Sequence, residues 1–177
     1  MKSMNSRISF AALALVAGLN LTTDVVRANE TEPSSQKVLA GKNSDFNLLA
    51  IEEMLKEGDK AVSRGKLSEA RKKYDKARTI SKQLLSFYRD LGGSFRGLDA
   101  RVPREMDQKG RRTLELLADS NLRLAALFRR QNKPEVAVPV LVEVVRLMTP
   151  AKSQGKKAYQ ALLEIGFVDT PYLGGAF

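Results

Sequence analysis

Over most of the chain apolar positions recur at three- and four-residue spacing, the period of a helix lying on a core. Between residues 45 and 64, Leu48, Ile51, Leu55, Gly58 and Val62 share one face, and Glu52, Glu53, Lys56 and Lys60 share the other. Ser44 stands where an N-cap belongs. Gly65 supplies a left-handed residue to close this helix near Arg64. A second helix is expected from Glu69, with Ser68 as N-cap, along a stripe of Tyr74, Ala77, Ile80, Leu84, Leu85, Tyr88 and Leu91. Gly92-Gly93 is expected to stop it, and a loop follows to Val102.

Pro103 suits a first helical position, and a third helix should continue to Gln131 with Met106, Leu114, Leu117, Asn121, Leu124, Ala125 and Phe128 along one side. Gly110 weakens that helix by about 1 kcal/mol relative to Ala. Residues 135–148 are ambiguous, because Val136, Val138, Val140, Val142 and Val144 alternate as in a strand and Pro139 removes an interior donor. Helix is the expectation, since nothing else in the chain offers a strand to pair with. Thr149-Pro150 ends it, and a last helix over 153–165 presents Ala158, Leu162 and Ile165 as a cap. The fold class expected is all-α, built of antiparallel hairpins with two overlong central helices.

Small residues at Gly58, Gly65, Ala70 and Ala77 alternate with Leu67 and Tyr74 at spacings that suit two helices packed as a hairpin. Counting Ile51 as the first position of a repeating unit, Gly58, Ala61, Gly65, Leu67, Ala70, Tyr74 and Ala77 fall on the consensus positions of the tetratricopeptide repeat. A unit starting at Ala118 puts Leu124, Ala125, Phe128, Asn132, Pro134, Ala137, Leu141, Val144 and Leu147 on the corresponding positions. Ile51–Leu84 and Ala118–Ala151 therefore resemble that family.

The resemblance implies a helical scaffold for binding other proteins, with a core containing Gly58, Gly65, Ala70, Tyr74, Ala77, Ala125, Phe128 and Ala137. It also implies a groove lined by the first helix of each unit, with Leu55, Asp59, Leu122, Arg123, Arg129 and Arg130 as candidate partner contacts. Leu55 and Asp59 stand where members that clamp a C-terminal carboxylate carry Lys and Asn, which argues against such a clamp. Arg123, Arg129 and Arg130 can either hold an acidic segment of a client by bidentate contacts or pair with Glu115, Asp119 and Glu135. Between the units, Gly97 and Pro103 break the pattern, so a regular third repeat is the alternative to two overlong helices. Two units are fewer than the usual three, so the long helices and the last helix must complete the core, or the chain must associate with itself or a partner.

The 177 residues include no Cys, His or Trp, which removes thiolate and imidazole nucleophiles and bases, haem ligation and zinc sites that need nitrogen or sulfur. Glu52 and Glu53 are adjacent on a helix and point apart, so they cannot form a facing acid–base pair. No catalytic residue, metal or cofactor is expected, and the chain does not read as an enzyme. Basic runs at Arg71-Lys72-Lys73, Arg111-Arg112, Arg129-Arg130 and Lys156-Lys157 lack interleaved aromatics, so nucleic acid is not an expected partner.

Residues 1–28 read as a signal peptide. Lys2 and Arg7 make a basic start, Ile8 to Leu19 is a short apolar run, and Val26-Arg27-Ala28 offers a cleavage site. An uncleaved anchor is the alternative. Loss of this segment would remove Lys2, Arg7 and Arg27 against Asp24 and lower the net charge from +10 to +8. Residues 29–44 read as a disordered linker, 45–166 as the repeat-like domain and 167–177 as a tail, either a strap over the domain's own apolar surface or a docking peptide. The expectation is an exported adaptor, scaffold or assembly factor, in the periplasm or, for a photosynthetic source, the thylakoid lumen. The alternative is a peripheral protein held to anionic lipid by its basic helix faces.

Overall fold

The computed structural model describes Leu39 and residues 44–174. The expected signal peptide, the expected linker apart from Leu39 and Ser44, and the last three residues of the tail lie outside the described residues. The described residues form five helices: α1 Leu48–Ser63, α2 Leu67–Ser94, α3 Arg101–Arg130, α4 Pro134–Met148 and α5 Ser153–Glu164. The protein is all-α, with no strand among the described residues.

Local chemistry sets the helix ends. Asn47, not Ser44, caps α1, its side-chain oxygen accepting from the Ala50 amide at 2.8 Å. Ser44 accepts from the Phe46 amide in the turn just before. At the other end Gly65 sits at φ 73°, the Lys66 amide donates to the Ala61 carbonyl at 2.9 Å and the Gly65 amide donates to Val62 at 3.0 Å. This crossed pair of bonds satisfies two carbonyls that the helix end would otherwise leave open. Asn132 closes α3 the same way at φ 57°, with the Lys133 amide on Phe128 at 2.9 Å and the Asn132 amide on Arg129 at 3.0 Å. Gly65 and Asn132 occupy matching positions of the two proposed units, so both hairpins are closed by one geometry.

Three expected boundaries are corrected. Helix α2 starts at Leu67, which places Ser68 inside the first turn instead of at its cap. It also runs through Gly92-Gly93 to Ser94. A Cβ on Gly92 would lie 3.2 Å from the Met106 Cβ, so this glycine makes room for α3 to approach. Helix α3 starts at Arg101, two residues before Pro103, with the Asp99 side chain accepting from the Arg101 amide at 2.8 Å. Pro103 remains in the first turn, where its missing donor costs nothing. The valine-rich segment is helical, and Pro139 lies inside α4. Ala137, Val140, Leu141, Val144 and Met148 form its buried face, at helical period.

Each helix packs on the next, and α1 and α5 also touch α3. The odd helices therefore stand side by side with α2 and α4 behind them. Tyr74 is 2% exposed, and Phe128, Ala70, Ala77, Ala125 and Ala137 are equally well buried. Gly58 lies against the Tyr74 ring with no room for a Cβ. Gly65 is exposed, and its part is the turn and not core packing. Ser81, Thr113 and Ser120 are fully buried, and each returns its hydroxyl to the carbonyl four residues back, at 2.7 to 2.8 Å.

The tail folds back along α5. Val168 packs on the core, Tyr159 donates its hydroxyl to the Thr170 carbonyl at 2.7 Å, and the rings of Tyr159 and Tyr172 meet edge to face at 6.4 Å. Phe167 and Leu173 stay exposed.

Candidate functional site

The candidate partner contacts lie on the α1, α3 and α5 side, and most of them are already engaged with the protein itself. Asp59 on α1 accepts the Tyr74 hydroxyl at 2.6 Å and the Arg123 Nε at 3.0 and 3.2 Å, joining α1, α2 and α3 at one point. Arg123 also donates to the Asp119 carbonyl at 3.4 Å. Burial works to raise the Asp59 pKa, but the hydrogen bonds from Arg123 and Tyr74 outweigh it and hold the carboxyl below its usual value. Burial, and then the bond to Asp59, push the Tyr74 phenol well above its usual value. Neither group is poised near neutral pH, so the cluster acts as a tie between helices and not as an acid–base couple.

Arg129 pairs with Glu164 on α5 at 2.9 Å, and Arg112 bridges Glu52 on α1 at 2.6 Å and Glu115 at 3.0 Å. Leu55 is 4% exposed and belongs to the core, which takes it out of any groove surface. Leu122 is half-buried against the core. Of the six candidates Arg130 keeps its charge free, with no carboxylate in ion-pair range among the described residues. Arg130 is exposed, and so is Ala126, one turn earlier.

Two features escape a reading of the sequence. Behind the odd helices, Arg78 and Lys82 of α2 reach Glu143 of α4 at 2.5 and 2.7 Å. Burial works to raise the Glu143 pKa, and the bonds from Lys82 and Arg78 bring it below the usual range. Nothing in the periodicity of either helix announces this pairing. The second feature is a cleft of about 380 Å³ between the C-terminal half of α2 and the N-terminal half of α3, lined in part by Arg89, Arg96, Asp107 and Arg111. The spacing of Arg89 and Gly93 would have signalled one wall, had α2 been expected to pass through its glycines.

Among the described residues no three acidic side chains gather as they would around a metal ion. No helix of the described residues is long and apolar enough to cross a membrane. Compared with known proteins, the chain matches no family model, no curated protein and no solved structure.

Proposed function

We propose that this protein is an exported, tetratricopeptide-like interaction module, an adaptor or assembly factor that holds a client protein through an acidic segment of the client. The observation that carries the reading is exposed Arg130, with no carboxylate in ion-pair range among the described residues, one turn from exposed Ala126 on α3, the helix that also carries Arg123 and packs on α1 and α5. Arg123 is tied to Asp59, which fixes its position, while Arg130 remains available for a carboxylate. The common closure of the two hairpins at Gly65 and Asn132 supports the repeat resemblance from which the groove assignment came.

A photo-crosslinking residue at Ala126 tests this in cells, with one at exposed Lys72 on α2 as the comparison. The expected result is a discrete adduct with one protein from position 126, lost in Arg130→Glu and absent from position 72. Equal adducts from both positions, or none from 126, would refute the assignment. Export is checked separately, by a mature N-terminus at Asn29 in protein recovered from beyond the membrane. Protein found in the cytosol with residues 1–28 intact removes that part of the reading.

A further inference from the structure

The cleft between α2 and α3 lies on the extended halves of these helices, apart from the proposed client face, and it is built of unlike parts. Arg89 and Gly93 are four residues apart on α2, Arg96 lies in the turn just past its end, and Asp107 and Arg111 are four residues apart on α3. The two residues on each helix fall on one face of it. The cleft thus carries three guanidinium groups against one carboxylate, and none of the three arginines is in ion-pair range of an acidic group among the described residues.

The glycines strengthen the case. A Cβ on Gly93 would meet nothing within 4 Å, and one on Gly110 would meet only the tip of Leu85, at 3.9 Å. Helix packing therefore does not require glycine at either place, although each costs its helix about 1 kcal/mol relative to Ala. What both leave is bare backbone beside the arginines, where a ligand can come close. Tyr88 and Leu114 add an apolar wall. The volume is that of a site for a small molecule.

We propose that this cleft binds a phosphate monoester carried on an apolar group. Three arginines against Asp107 leave two positive charges, which match the roughly −1.5 to −2 of such a phosphate near neutral pH. Guanidinium forks suit its oxygens, and the apolar wall takes the organic part. The site stands independently of the client-binding reading.

Phenyl phosphate is the probe, titrated into the full chain by calorimetry at fixed ionic strength. Binding should weaken by about tenfold or more in the double variant Arg89→Gln, Arg111→Gln and in Gly93→Leu, which fills the cleft without changing charge. The double variant Arg146→Gln, Lys157→Gln, which removes the same charge elsewhere, should bind as the unaltered chain does. Unchanged helical circular dichroism shows that each variant has folded. Vesicles of phosphatidylcholine with and without phosphatidic acid separate the two sources of the ester. Capture by phosphatidic acid that Gly93→Leu abolishes assigns a lipid headgroup, and phenyl phosphate binding without capture assigns a soluble ester. The proposal is overturned by no binding of phenyl phosphate, by binding that survives Gly93→Leu, by equal loss in the control variant, or by benzoate binding as tightly.

Discussion

Gly58→Ala puts the packing of the first hairpin to a direct test. A Cβ at this position would stand 2.2 Å from Cε1 of Tyr74, 2.7 Å from Cδ1 and 2.9 Å from Cζ. The ring cannot swing away cheaply, because it is 2% exposed and its hydroxyl is held by Asp59. Overpacking of this kind costs about 1 to 3 kcal/mol, and the severity of the contact points to the upper part of that range. Alanine in a helix interior returns about 1 kcal/mol over glycine. The net expectation is a loss of about 1 to 2 kcal/mol, read as a lower urea midpoint at unchanged m-value.

The sign of the effect should depend on the ring. Tyr74→Leu removes Cε1 and Cζ and leaves a shorter side chain free to turn from the new methyl group, and by itself costs about 2 to 4 kcal/mol, within what a domain of this size can lose and stay folded. In that background Gly58→Ala should stabilise by about 1 kcal/mol, leaving only the helix-propensity gain. The coupling energy of the cycle is then about 2 to 3 kcal/mol. If Gly58→Ala stabilises the unaltered chain, or has the same sign in both backgrounds, the close approach at this point is not what fixes the hairpin.

Three further outcomes can be checked by the same unfolding measurements. Asp59 and Glu143 bind protons less readily folded than unfolded, so their stabilisation is complete at neutral pH and is lost as pH falls from about 5 through their depressed folded values. The double variant Asp59→Asn, Glu143→Gln should show a flatter decline of stability between pH 6 and pH 3, and an unchanged slope would place the acid sensitivity elsewhere. Gly155→Ala would set a Cβ 1.8 Å from the carbonyl oxygen of Thr149, a residue already at φ 53°, and should cost more than about 2 kcal/mol because backbone must move; near-neutral behaviour refutes the α4–α5 contact. Asn121 is fully buried with no partner for either end of its amide among the described residues, so Asn121→Leu should raise stability by about 1 to 2 kcal/mol, whereas a loss of similar size would mean that the amide is hydrogen-bonded in solution.

The helices were legible because burial imposes a period, and Ile51, Tyr74, Leu124 and Val144 keep to it. Even the valine-rich segment obeys it once Ala137, Leu141 and Met148 are counted with the valines. Charge carries no such period. Asp59 and Arg123 are 64 residues apart, and each alone looks like a solvated helix residue, so their pairing had no sign in the sequence. The same applies to Glu143, whose partners lie on another helix.

Glycine was the harder case, because the residue serves opposite ends. Gly65 ends a helix by taking a left-handed backbone, while Gly92 lets a helix continue by yielding space to Met106. Only the structure distinguishes them, through the sign of φ and the distance to the nearest neighbour. The distinction reaches beyond the boundary of α2. Had the helix stopped at Gly92, Gly93 would not stand one helical turn beyond Arg89, and α3 would face a shorter wall with Asp107 and Arg111. Passage of α2 through its paired glycines therefore creates the cleft, with one glycine closing the two helices together and the next leaving the gap between them open.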